Sequence, residues 1–177
     1  TNTITIQGVD KFSGADFAII PDQLEVGTIA ILAALSGGEI KISPIVSADM
    51  QVVADKLKEA GVDFVEQGDA WIVKAGKELK SINIKTAPYP GFPTDLQAPF
   101  GVLATQAHGS STIQDPMYEN RLGYVNELIR MGATAELTDA HTAVITGPTA
   151  LSGQAIESLD LRAGATLVIA GLISQGE

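Results

Sequence analysis

"DQLEVGTIAILAALSGGEIKI", residues 22–42, decides the architecture. Read as a helix, it carries apolar or small residues on nearly every face until Gly37 and Gly38 stop it, and a strand-like "EIKI" follows. A helix that is apolar all round has to be buried all round. The plan returns in "DLQAPFGVLATQAHGSSTIQD" at 95–115 and in "DLRAGATLVIAGLISQGE" at 160–177, each opening on an acid. The third copy stops where its strand is due. A recurrence of about seventy residues is too long for a solenoid and suits pseudo-symmetric units within one domain.

A second repeated element lies between these helices. "VADKLKEAGVDFVEQGDAWIV" at 53–73 is echoed by "YVNELIRMGATAELTDAHTAVI" at 124–145. Each reads as an amphipathic helix closed by a glycine, Gly61 or Gly132, followed by two short strands around a polar turn. Val53, Leu57 and Ala60 fall on one stripe, so the Lys- and Glu-bearing side can face solvent. Ala30, Ala33 and Ala34 let the apolar helices approach closely. Strands such as "SINIKTA" and "AWIVK" alternate and would lie outside them. The expected fold is therefore α/β with helices at the centre and sheets on the outside, the reverse of a doubly wound fold. Residues 1–177 are expected to form one domain of two complete units and the start of a third.

Composition narrows the function. Apolar residues make up 45% and aromatic residues 5%, which describes an aliphatic globular interior. There is no cysteine, so a disulfide, a thiolate metal site and a cysteine nucleophile are excluded within these residues, as fits a cytosolic protein. The apolar runs "IAILAAL" and "ATLVIAGLI" are too short to cross a bilayer and no charged leader precedes an apolar segment, so no membrane partner is expected. A formal charge of −10 with scattered acids argues against nucleic acid. A phosphorylated ligand would have to draw on few cations, since Arg121, Arg130 and Arg162 are the only arginines.

The segments "TAPYPGFPTDLQA" at 86–98, "YENR" at 118–121 and "DLRAGATLVIAGLI" at 160–173 together resemble the UDP-N-acetylglucosamine 1-carboxyvinyltransferase family of enolpyruvyl transferases. "PDQLEVGT", "LKEAG" and "LIRMGA" match as well, in consistent order over essentially the whole chain. The resemblance implies a two-domain enzyme of the inside-out α/β prism type, each domain made of three units. It implies that this chain is about two fifths of such an enzyme, without the domain whose mobile loop carries the reactive cysteine, and that it is inactive alone. It also implies transfer of enolpyruvyl from phosphoenolpyruvate to the 3-hydroxyl of UDP-N-acetylglucosamine, through a tetrahedral ketal, in bacterial peptidoglycan synthesis. No metal or redox cofactor is implied. Expected partners are those two substrates and the missing domain, with self-association a further expectation if the third apolar helix is left uncovered.

Each candidate residue has a bland reading beside the functional one. Asp95, in the proline-bracketed "PGFPTDLQAP", reads as the N-cap of the apolar helix; the resemblance makes it the carboxylate that takes the proton of the attacking sugar hydroxyl. One oxygen could serve each role. Met117, where the family more often has valine or isoleucine, reads as packing, and the resemblance gives its backbone a contact to the nucleotide. Tyr118 is expected to pack near the site. Arg121 reads as the start of the second amphipathic helix, exposed or paired with Glu119; the resemblance points it at an interdomain cleft, oriented by Asn120, to neutralise phosphate or carboxylate. Asp160 and Arg162 read as an N-cap and a solvated cation, and the resemblance puts both near phosphoenolpyruvate. His108 and His141 lack metal-ligand spacing and read as surface residues, and Trp71 reads as packing on a sheet face. "GKELK" and "LSGGE" lack the form of a phosphate cradle. Two other readings stay open: a domain of the related 5-enolpyruvylshikimate-3-phosphate synthase, and a non-catalytic packing domain.

Overall fold

The computed structural model describes residues 3–76, 78–158 and 161–176, and the side chains of all of these but 161–163. Residues 3–20 form neither helix nor strand and are exposed. Two runs of elements then repeat. The first is α1 (Gln23–Ser36), β1 (Glu39–Ile42), α2 (Gln51–Glu59), β2 (Asp63–Gln67) and β3 (Ala70–Lys74). After the short β4 (Asn83–Lys85) come α3 (Gln97–Gln106), β5 (Gly109–Gln114), α4 (Tyr124–Arg130), β6 (Thr134–Asp139) and β7 (Thr142–Gly147). The last element is α5 (Leu161–Ile173).

The strand order repeats with the elements. One antiparallel sheet runs β1-β3-β2, and the other runs β5-β7-β6 with β4 added parallel to β5. α1, α3 and α5 pack on one another, α1 against β1 and β3, and α3 against β5 and β7. Trp71 and Val73 of β3, and Ala143 and Ile145 of β7, are buried, while Glu39, Lys41 and Glu136 stay outside. Trp71 lies against Phe64 with ring centroids 5.0 Å apart. The helices thus form the interior and the sheets the exterior, as their polarity requires. Among the described residues no helix is long and apolar enough to cross a membrane.

Burial on every side is true of one central helix and fails for another. Residues 97–105 of α3 are all buried. On α1, Ile29 is partly open, and on α5 Val168 and Leu172 are 62% and 64% exposed. The apolar content of α5 matches that of α1, but among the described residues no element covers that side.

Glycines close both amphipathic helices, as their positions in the sequence predict. Gly61 has φ 77° and Gly132 has φ 100°. In each case two bonds gather the last carbonyls: Gly61 N to Lys58 O and Val62 N to Leu57 O, then Gly132 N to Ile129 O and Ala133 N to Leu128 O. This is the Schellman pattern, whose left-handed residue suits glycine alone without strain.

Gly147 is a different case. A Cβ there would sit 2.6 Å from the carbonyl oxygens of Ala107 and Thr105 and 2.8 Å from that of Ala104, all backbone at the end of α3. These atoms cannot swing aside as a side chain can. Gly147→Ala is expected to cost about 1–3 kcal/mol by overpacking, read as a lower urea midpoint with an unchanged slope. An unchanged midpoint would mean that β7 does not press on α3 at this point.

Candidate active site

The proline-rich segment is a closed loop. Thr86 and Phe92 form a bridge, Ala87 N donates to Phe92 O at 3.0 Å, and Gly91 N donates to Pro88 O at 2.8 Å. Pro93 leads into a one-turn 3-10 helix, Thr94–Leu96, that runs directly into α3. Starting the turn at Thr94 puts Asp95 inside it rather than ahead of it. The N-cap positions belong to Pro93 and Leu96, and neither makes a side-chain cap bond. Asp95 is therefore not the helix cap that its resemblance to Asp22 suggests. Asp22 does cap α1, accepting from Leu24 N at 2.7 Å and Glu25 N at 3.3 Å.

Asp95 instead meets Arg121. Arg121 Nη2 donates to Asp95 Oδ1 at 3.1 Å, with the two side chains only 14% (Arg121) and 22% (Asp95) exposed. The guanidinium also lies over the ring of Tyr118, 4.9 Å from its centroid. Arg121 belongs to the turn before α4 rather than to the helix itself, and the Asp95 carboxylate offsets its conflict with the positive end of the helix dipole. Glu119 is not its partner in this pair. The turn is tied to α3 a second time: Gln97 Nε2 donates to the Arg121 carbonyl at 3.1 Å, and Tyr124 O–H donates to Gln97 Oε1 at 3.0 Å. Burial pushes the Tyr124 hydroxyl far above its ordinary range, with the Asp115 carboxylate adding to the effect, so it remains a donor. Asn120, at φ 58°, shapes the turn through its backbone.

Met117 is half-buried and its N–H donates to Asp115 Oδ1 at 3.1 Å. Asp115 is a residue that sequence reasoning passes over. It is fully buried, accepts from Thr86 Oγ1 at 2.8 Å, and accepts a short bond from Thr94 Oγ1. Its N–H donates to the His141 carbonyl, and its own carbonyl lies 2.8 Å from His141 Nδ1. His141 is thus a partly buried loop tie and not the loose surface residue expected; His108 is exposed. The signal available in sequence is an acid placed directly after a strand and before a proline.

Asp160 lies outside the described residues. Arg162 is in the first turn of α5, and its side chain also lies outside them.

The Asp95 carboxylate lines a cavity of about 570 Å³ together with Leu24, Glu25, Thr28 and Ile29 of α1, Pro99 of α3 and Ala165 of α5. All these helix residues come from the N-terminal half of their helices. The C-terminal ends, at Ser36, Gln106 and Ile173, line a different cavity at the opposite end. The three central helices are accordingly parallel, and their N-terminal halves converge on a cavity that Asp95 lines. Helix N-termini carry partial positive charge and suit an anion. At α1 two of the N-terminal N–H donors are taken by Asp22, and the lining itself carries the acids Glu25 and Asp95, so among the described residues the side-chain cation next to the cavity is the Arg121 paired with Asp95.

Comparison with known proteins agrees with this fold. The chain is 44% identical over 176 residues to UDP-N-acetylglucosamine 1-carboxyvinyltransferase 2 of Bacillus cereus (strain ATCC 14579), covering 99% of the chain and 41% of that protein. It is 42% identical over 177 residues to UDP-N-acetylglucosamine 1-carboxyvinyltransferase of Clostridium botulinum (strain ATCC 19397 / Type A), covering 100% of the chain and 42% of that protein. The chain therefore spans about two fifths of the length of these curated relatives. Among solved structures it is similar to the enolpyruvyl transferase NikO from Streptomyces tendae, with TM-score 0.79 and 25% identity over 88% of this chain and 37% of that one. The family model described as EPSP synthase (3-phosphoshikimate 1-carboxyvinyltransferase) matches residues 1–177. With its helices inside, its sheets outside and that match from end to end, the chain belongs to the EPSP synthase family of carboxyvinyltransferases.

Proposed function

We propose that this chain is part of a UDP-N-acetylglucosamine 1-carboxyvinyltransferase, which moves enolpyruvyl from phosphoenolpyruvate to the 3-hydroxyl of the nucleotide sugar and releases inorganic phosphate. The reaction begins bacterial peptidoglycan synthesis, in the cytoplasm. The observation that carries this reading is Asp95, paired with Arg121 and lining a cavity between the N-terminal halves of three helices.

A carboxylate is ionised at neutral pH and can accept the proton of the sugar hydroxyl as its oxygen attacks the central carbon of phosphoenolpyruvate. Asp95 has that role. Arg121, held by Asp95, Tyr118 and Gln97, presents a planar fork to a phosphate or carboxylate. The Met117 amide is committed to Asp115, so a main-chain contact from Met117 to the nucleotide runs through its carbonyl. Asp160 and Arg162, adjacent in sequence to the first residue of α5, act toward phosphoenolpyruvate. The second domain supplies the reactive-cysteine loop and closes over the anions, which excludes water and strengthens every charge contact inside. No metal or redox cofactor takes part.

Two measurements test this. The complete enzyme should release phosphate from phosphoenolpyruvate in the presence of UDP-N-acetylglucosamine, and calorimetry should show that it binds this sugar in preference to shikimate 3-phosphate. The 177-residue chain alone should show no turnover. Preference for shikimate 3-phosphate would move the chain to the synthase branch, and activity of the chain by itself would overturn the two-wall cleft.

A further inference from the structure

We propose that Asp115 is a positioning residue, the clamp that fixes the Asp95 turn against the Met117–Arg121 loop. This rests on the functional reading above and extends it to a side chain outside the cavity lining. Asp115 is 0% exposed, and among the described residues no salt bridge reaches it. A buried carboxylate without a cation has to be satisfied by hydrogen-bond donors. Asp115 gathers three, and they come from both site-bearing segments.

Oδ2 accepts from the hydroxyl of Thr94, the residue immediately before Asp95. Oδ1 accepts from the hydroxyl of Thr86, at the base of the proline loop, and from the amide of Met117, which opens the loop carrying Arg121. Thr94 and Thr86 lie 21 and 29 residues before Asp115 in sequence, and no strand pairing joins Thr94 to Met117. One acceptor-only group therefore sets the separation between the loop that holds the proton acceptor and the loop that holds its arginine. Asn would keep an oxygen for Thr86 and the Met117 amide and would turn its NH₂ toward Thr94, whose hydroxyl can accept, so only removal of the whole acceptor, as in Asp115→Ala, breaks all three links. His141 anchors the clamp from behind through the Asp115 backbone, so the carboxylate has a fixed base.

Rate is sensitive to such placement: a misplacement of about 1 Å can cost on the order of 10²-fold. Thr94→Val removes only the link to the Asp95 turn and leaves Asp115, Thr86 and Met117 in place. In the complete enzyme it is expected to lower kcat by about 10- to 100-fold with the KM for the nucleotide sugar little changed. Thr94→Ser keeps the hydroxyl and is expected to restore kcat to near the parent value. Asp115→Ala removes the acceptor from both loops, so it should lower kcat and also raise the KM for the nucleotide sugar through Met117. Equal kcat for the Val and Ser variants at position 94, or losses that only track the folded fraction by circular dichroism, would overturn the clamp.

Hydrogen exchange on the same proteins separates this proposal from the functional reading. Asp115→Ala should speed exchange of the Met117 amide and of segment 86–97 while β7 is unchanged. If the parent enzyme fails to use UDP-N-acetylglucosamine but exchange responds in this way, the substrate assignment falls and the clamp stands. Unchanged exchange refutes the clamp whatever the substrate.

Discussion

Replacing Asp95 by Asn in the complete enzyme is expected to lower kcat by about 10²- to 10⁴-fold, the usual contribution of a positioned general base. The substitution removes basicity and almost nothing else. Asn keeps an oxygen that can accept from Arg121 Nη2, so the 3.1 Å contact can persist as a neutral hydrogen bond. The pair is mostly buried, so loss of its Coulomb component should cost more than at an exposed pair, on the order of 1–2 kcal/mol. Melting temperature should therefore move by only a few degrees, and the KM for the sugar by a small factor. Retained turnover with normal stability would strip Asp95 of its role in proton transfer. A fall in rate matched by a fall in folded protein would reduce it to a structural tie.

How far the sequence can be read depends on how local each feature is. Gly61 and Gly132 are legible because a left-handed residue after an amphipathic run has one common cause, and the same pair of backbone bonds closes both motifs. The central helices are legible from polarity, since a segment such as "FGVLAT" has no side to offer to water. Asp22 and Asp95 show where local pattern stops. Both acids precede apolar runs, yet Asp22 caps and Asp95 does not, because Pro93 and Thr94 start a 3-10 turn two residues earlier than the repeat predicts. Arg121 is identified through resemblance, but a partner adjacent in sequence, Glu119, is the wrong one. The true partner is 26 residues away, and only the packing of α4 against α3 brings them together. Asp115 escapes notice for the same reason. Its meaning lies in donors mostly distant in sequence, and taken alone it reads as the polar end of a strand. Exposure of Val168 and Leu172 on α5 is illegible as well, because composition states what a face needs and not whether anything covers it.

The site and the core are mechanically one object. Leu96, the last residue of the turn that bears Asp95, is fully buried and lies so close to α1 that a Cβ on Gly27 would come within 2.5 Å of it. Asp95 is thus held from below by the α1 and α3 contact and from the side by Arg121. Precision at the carboxylate is inherited from packing between helices, which tolerates little displacement.

Phe100→Ala should expose that dependence through a larger loss of stability than Gly147→Ala causes. Phe100 is 0% exposed in the middle of α3 and meets Phe92 edge-on, with centroids 5.2 Å apart and planes at 87°. Truncation removes buried area and leaves a cavity, a loss of about 3–5 kcal/mol. For a chain of this size that lowers the melting temperature by about 2–4 °C for each kcal/mol. Because Phe92 closes the proline loop through its bridge to Thr86, the loss should not stay in the core. Amides of segment 86–92 should exchange faster in the variant than those of β7, and kcat of the complete enzyme should fall even where the protein remains folded. A double-mutant cycle with Phe92→Ala should return a coupling of about 0.5–1.5 kcal/mol, the value of an aromatic pair beyond its area. Additive effects at the two positions would mean that Phe100 supports α3 but does not hold the loop. Asp95 would then owe its place to contacts other than the Phe92–Phe100 pair, the Thr94 and Arg121 bonds among them.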